Sequence, residues 1–92
     1  MDISVVFEPE ANRSAAYAEG EQIGECEFRV YGQTWSIDHT GVRPAYGGRG
    51  IARKLVETVI EAAREREKKI VPLCSYAQKL MAGKDEYKDV LS

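Results

Sequence analysis

The sequence predicts an α+β domain with a mixed sheet: an antiparallel meander of about four strands, then a β-α-β unit, then short C-terminal helices. Three observations predict it. Four stretches rich in β-branched or alternating apolar residues fill positions 3–42, with turn residues between them. From Ile51 the apolar period lengthens to that of a helix. A short apolar run at 70–74 follows that helix directly, and a strand reached through a helix lies most naturally parallel to the strand before it.

Ile3-Ser4-Val5-Val6-Phe7 reads as the first strand, and Glu8-Pro9-Glu10-Ala11-Asn12 breaks it as a turn. A weaker second strand covers 13–19, with Ala15 and Tyr17 on one face. Glu19-Gly20-Glu21 turns the chain into a third strand at 23–31. There the alternation points Cys26, Phe28 and Val30 one way and Glu25, Glu27, Arg29 and Tyr31 the other. Gly32-Gln33 is a tight hairpin connection. The fourth strand, 34–42, carries Trp35, Ile37 and His39 on one face and Ser36, Asp38 and Thr40 on the other. Ile51, Ala52, Leu55, Val56, Val59, Ile60 and Ala63 then form one apolar stripe on a helix that runs to about Arg66 or Glu67. In the strand at 70–74, Pro72 interrupts a regular ladder. Ser75 caps a second helix bearing Tyr76, Leu80 and Met81, and Gly83 ends it. A last helical turn within 85–91 packs Tyr87, Val90 and Leu91 back on the domain.

Composition bounds the function. Ninety-two residues make a single domain, 1–92, which buries roughly 60–65% of its unfolded surface. The hydrophobic share of 43% and charged share of 30% belong to a globule, not a disordered chain. No apolar run nears the roughly 20 residues of a membrane helix, and Met-Asp-Ile-Ser lacks a signal-peptide core. A cytoplasmic address is expected, with Cys26 and Cys74 reduced. One histidine and two separated cysteines do not form a zinc cluster, so no metal is expected. The net charge of −2 conceals an asymmetry. Residues 1–42 carry eight acidic and two basic side chains, whereas residues 43–92 carry seven and eleven.

The junction at 43–54 concentrates the remaining information. Arg43, Arg49, Arg53 and Lys54 lie there without an acid, beside Gly47, Gly48 and Gly50. A helix N-terminus offers unpaired N–H groups and partial positive charge, and glycines in front of it let an anion approach the backbone. Phosphate or pyrophosphate is the natural ligand of such a turn. No Gly-Lys-Ser/Thr ending marks a nucleotide-hydrolase loop. The antiparallel strands before the turn disfavour a dinucleotide fold. Overall acidity, with only Tyr46 available for stacking, argues against nucleic acid.

In this order the elements resemble the GNAT acyltransferases. That family's signature, Arg/Gln-x-x-Gly-x-Gly/Ala after a Val-x-Pro, is matched by Val42, Pro44, Gly50 and Ala52, and departs at Gly47. His39-Thr40 before the turn and Val71-Pro72-Leu73-Cys74-Ser75-Tyr76 after the helix are similar to the compact single-domain members. The resemblance implies acetyl-CoA as acyl donor. Its pyrophosphate would lie on the amides of Gly48, Arg49, Gly50, Ile51 and Ala52, with Gly47 at the turn's start. Its pantetheine arm would pair with the backbone near Thr40 and Val42, where the strands at 34–42 and 70–74 splay apart. Arg53, Ser75 and Lys79 complete the implied cofactor contacts.

Acetyl transfer to an amine requires a neutral amine, a stabilised oxyanion and a proton or favourable field for the leaving thiolate. His39 is the only histidine, and imidazole suits general-base work near neutral pH. Cys74 precedes a helix N-terminus, a position that favours a thiolate. It is an acetyl-accepting nucleophile, a wall of the acyl pocket or plain core. Tyr76 stands where the family often places a proton donor for the thiolate. The acidic half favours a cationic primary amine, either a small molecule or a lysine side chain. A non-catalytic acyl-CoA-binding or sensor module is the alternative, and the chain is expected to be a monomer or homodimer.

Overall fold

The computed structural model describes residues 2–92. Its single sheet follows chain order, β1-β2-β3-β4-β5. β1 (Ile3–Glu8), β2 (Arg13–Ala18), β3 (Glu21–Tyr31) and β4 (Thr34–Val42) form the antiparallel meander. α1 (Ile51–Glu65) then crosses to β5 (Lys69–Pro72), which pairs parallel with β4. α2 (Ser75–Met81) and a 3-10 turn at Asp85–Tyr87 complete the chain. Among the described residues, no helix is long and apolar enough to cross a membrane.

The core lies between the sheet and α1. The stripe on α1 buries Ile51, Leu55, Val56, Val59, Ile60, Ala62 and Ala63. They meet Ala16, Ala18, Ile23, Cys26, Phe28, Trp35, Ile37 and Ile70 from the sheet. Phe28 and Trp35 stack with centroids 4.4 Å apart, and Phe7 extends the stack at 5.9 Å from Phe28. Gly24 lets α1 approach: a Cβ there would lie 2.9 Å from the Gly41 carbonyl oxygen and 3.2 Å from Leu55 Cδ1. Ser14, fully buried, donates its hydroxyl to the Leu55 carbonyl at 2.7 Å. Beyond β5, Ile70 N–H donates to Val90 O and Ser92 N–H to Ile70 O, so the chain's last residues cover that edge.

Two bulges depart from simple alternation. Ile23 is the extra residue between β2 and β3, and both Ile23 and Gly24 are buried. Asp38 is the extra residue in β4: Phe28 opposes Ile37, but Glu27 opposes His39. The expected face of His39 is therefore corrected. A bulge shifts the two-residue period by one. Trp35 and Ile37 remain in the core, while His39 turns to the solvent face with Glu25 and Glu27. Thr40 rotates the other way, onto Cys26. Asp38 is held by Arg29 at 3.0 Å and by the Ser36 hydroxyl at 2.9 Å.

Further differences sit at element ends. β5 stops at Pro72 rather than reaching Cys74: the N–H groups of Leu73 and Cys74 share one acceptor, Ile37 O, so the ladder advances no further. Cys74, not Ser75, is the N-cap of α2, and its Sγ accepts the Ala77 N–H at 3.3 Å. Val30, at the far end of β3, is 50% exposed despite its apolar register.

Candidate active site

A fork in the sheet organises the site. β4 and β5 pair from Thr34↔Lys69 to Ile37↔Pro72 and no further. The N–H groups of Leu73 and Cys74 both converge on Ile37 O, at 2.9 and 3.0 Å. Among the described residues, positions 38–42 of β4 continue with β3 as their only strand neighbour. Cys74 stands in the fork. Besides its capping bond, Sγ lies 3.5 Å from Thr40 Oγ1, which donates to Cys26 Sγ at 3.5 Å. Cys26 is fully buried. Burial pushes its thiol up to about 12, so it stays protonated as core. Neither cysteine is in a disulfide.

The glycine turn closes one side. A 3-10 turn at Pro44–Tyr46 leads into Gly47. Gly48 and Gly50 follow at φ 74° and 76°, a region that favours glycine. Nothing lies within 4 Å of where a Cβ would stand on either. No side chain caps α1, so its first N–H groups face outward without an intrahelical partner. They border a cavity of about 250 Å³ lined by Val42, Tyr46, Gly47, Gly48, Gly50, Ile51, Ala52 and Tyr76. Six of the expected cofactor positions and Tyr76 thus meet around one space. The others stand apart from it. Arg49 places its guanidinium 5.7 Å from the Tyr46 ring centroid. Arg53 is tied to Glu57 at 3.0 Å, and that carboxylate raises the guanidinium's pKa further. Ser75 and Lys79 are exposed on α2, and Thr40 contacts the two thiols.

His39 opens on a different cavity, of about 440 Å³, lined by Gln22, Ile23, Glu25, His39, Gly41, Val42 and Arg43. Its Nε2 lies 2.8 Å from Glu25 Oε2. Neither Cys74 nor Tyr76 lines this space. The expected catalytic set is therefore divided: Tyr76 on one cavity, His39 on the other, Cys74 at the fork. Val42, at the end of β4, is the wall they share. The sequence reading did not single out Glu25 as the partner of His39. The available signal was a lone histidine in a hairpin whose other strand carries Glu25 and Glu27.

Comparisons with known proteins agree with this fold. Residues 13–90 match the family described as GCN5-related N-acetyl-transferase. A GCN5-like protein from Staphylococcus aureus, solved in solution by NMR, aligns with a TM-score of 0.74 at 33% identity, covering 97% of this chain and 87% of that one. A GNAT family acetyltransferase from Elizabethkingia anophelis with acetyl-CoA bound aligns at 0.61 and 23% identity, over 75% of this chain and 48% of that one. The PaiA N-acetyltransferase from Thermoplasma acidophilum, in complex with coenzyme A, aligns at 0.58 and 16%, over 61% and 35%. The last two share the fold, and this chain spans less than half of their length. Among curated protein sequences, none matches. The family match over 78 of the 92 residues, with the Staphylococcus likeness over nearly the whole chain, leads to one conclusion: the chain belongs to the GCN5-related N-acetyltransferases.

Proposed function

We propose that this chain moves an acetyl group from acetyl-CoA to a primary amine, with donor and acceptor approaching from opposite sides of the end of β4. The observation that carries this reading is the pair of cavities sharing Val42, one bordered by the uncapped start of α1 and the other by His39. The glycine turn fits a pyrophosphate. Gly48 and Gly50 leave its front open, and N–H groups at a helix start favour an anion. The unpaired side of β4 at 38–42 suits a strand-like pantetheine arm. Acetyl-CoA supplies the acyl group as an activated thioester.

The residues divide the remaining work. His39 takes a proton from the incoming ammonium, leaving a neutral amine whose lone pair attacks the thioester carbonyl. Tyr76 gives its hydroxyl proton to the departing thiolate as the carbon–sulfur bond breaks, and its phenolate recovers a proton as the attacking nitrogen loses its second one to become the amide. Backbone N–H groups around the turn hold the phosphates, with Arg49, Arg53 and Lys79 adding charge from the rim. The acceptor is a small cationic amine or a lysine side chain, because Glu25 borders its cavity within an acidic half of the chain. A second route draws on the position of Cys74 in the fork. Its Sγ, held by Ala77 N–H and facing Thr40, attacks the thioester carbonyl, the carbon–sulfur bond to CoA breaks and the thiol proton leaves with the CoA thiolate; the amine then attacks the acetyl-cysteine, and Cys74 departs and regains its proton.

Calorimetric titration with CoA, beside intact-protein mass spectrometry after mixing with acetyl-CoA, tests both routes. CoA binding supports the donor site. An added acetyl group that disappears in Cys74→Ala supports the covalent route, and its absence favours direct transfer. No CoA binding at all overturns the proposal.

A further inference from the structure

The contact between His39 and Glu25 carries a second conclusion, which rests on the acyl-transfer reading and deepens it. We infer that Glu25 is the positioning residue of His39, and that Gly41 is the position that lets the two meet. His39 Nε2 and Glu25 Oε2 are 2.8 Å apart. An ionised carboxylate only accepts, so Nε2 carries the hydrogen. A neutral imidazole with its proton on Nε2 has its lone pair on Nδ1. Nδ1 is therefore the atom that takes the proton from the incoming ammonium. Once it does, the imidazolium still donates through Nε2 to the Glu25 carboxylate, which offsets the new positive charge. Glu25 is itself held: Gln22 Nε2 lies 3.4 Å from its other oxygen, Oε1.

Gly41 supports the assignment independently. It stands directly across from Glu25 in the β3–β4 register. A Cβ at Gly41 would lie 3.0 Å from Glu25 Oε2 and 3.0 Å from His39 Nε2, against both atoms of the bond. Gly41 is not among the glycines with positive φ, so its backbone suits any residue. What the absent side chain provides is room for the pair. The contact itself is half open to solvent, with side-chain exposures of 53% for His39 and 28% for Glu25. Exposed pairs of this kind contribute little to stability, so the pair's effect falls on the orientation of the ring.

The chain has one histidine, so a long-range proton–nitrogen NMR spectrum of 15N-labelled protein reads this ring alone. Wild type, at a pH above the ring's titration, is expected to show the Nε2–H tautomer only. Glu25→Ala, which removes the acceptor, and Gly41→Ala, which displaces it, are expected to show a mixture of tautomers. With spermidine as probe amine, both variants should lose at least tenfold in kcat while KM for acetyl-CoA stays within twofold. Glu25→Gln, which keeps an acceptor oxygen without the charge, should restore the single tautomer and part of kcat. A Nδ1–H ring in wild type, or a spectrum unchanged in both alanine variants, overturns the inference. So does unchanged kcat in Glu25→Ala where His39→Ala abolishes turnover. If wild type acetylates no amine, the acyl-transfer reading falls, and the tautomer spectra still decide whether Glu25 orients His39.

Discussion

The two halves of β4 are built from one strand and do opposite things. Positions 34–37 pair with β3 on one side and β5 on the other, and bury Trp35, Ser36 and Ile37. Positions 38–42 pair with β3 alone, and none of their side chains is fully buried. The first half has its backbone satisfied and its side chains in the core, so it holds the fold together. The second half has a backbone edge left over and polar side chains on both faces. That surplus is what a strand-like ligand and a proton carrier require. On the acyl-transfer reading proposed above, a single bulge separates stability from function, with Ile37 as the last residue of one regime and His39 the first clear residue of the other.

The separation can be broken at its strongest point first. Trp35→Ala removes a ring from the Phe7–Phe28–Trp35 stack, where Trp35 is 4% exposed. It should cost about 3–5 kcal/mol, a large share of the roughly 5–15 kcal/mol that a small domain has. Urea unfolding measures this. His39→Ala is the counterpart in the second half. It should lower kcat by roughly 10²–10⁴-fold while unfolding free energy stays within about 0.5 kcal/mol. A large stability loss there would erase the distinction between the halves.

Gly24→Ala tests the boundary between sheet and helix. The new methyl meets the Gly41 carbonyl and Leu55, and overpacking of this kind costs about 1–3 kcal/mol. Thermal melting would record it. Glu8→Gln sharpens the comparison from the far edge of the sheet, with the smallest effect. Hydrogen bonds from Tyr17 and then Arg13 hold the Glu8 carboxyl below its usual value. A depressed folded pKa gives stability that is present above the ordinary carboxylate range and is lost as pH falls through the folded value. The variant should therefore show a flatter decline in melting temperature on the acid side, read from pH 7 to 3.

Much of this was legible in the sequence, for identifiable reasons. The α1 stripe repeats often enough that six of its seven residues are buried as a face, with Ala62 joining them and Ala52 half-exposed at the first turn. Gly32-Gln33 marks the β3–β4 hairpin, since Gly32 takes φ 61°. Pro72 signals an irregular ladder, but not that the strand stops there, short of Cys74. The glycine turn was readable as the turn before α1, and it lines one cavity with Tyr76. The face of His39 was not. A bulge residue needs no particular side chain, and Asp38 looks like any other polar strand position until the register is seen. The capping of α2 was misread by one residue because serine is the commoner cap, whereas a thiol at Cys74 takes the position here. The contact of Glu25 with His39 is illegible for the same reason, since it depends on the bulge that turns His39 toward it.

Asp38 also makes chain length itself informative. Every substitution at that position preserves the count of residues between Ile37 and His39, whatever it does to the Arg29 and Ser36 contacts. Deleting the residue removes the bulge: His39 then follows Ile37 directly, still opposes Glu27 and still points to the solvent face, with Thr40 still inward. Keeping all the residues but losing the bulge is what would turn His39 toward the interior. A scan of single-residue deletions would therefore find the downstream faces of β4 kept when position 38 is lost. In β4, orientation is encoded by arithmetic and not by chemistry.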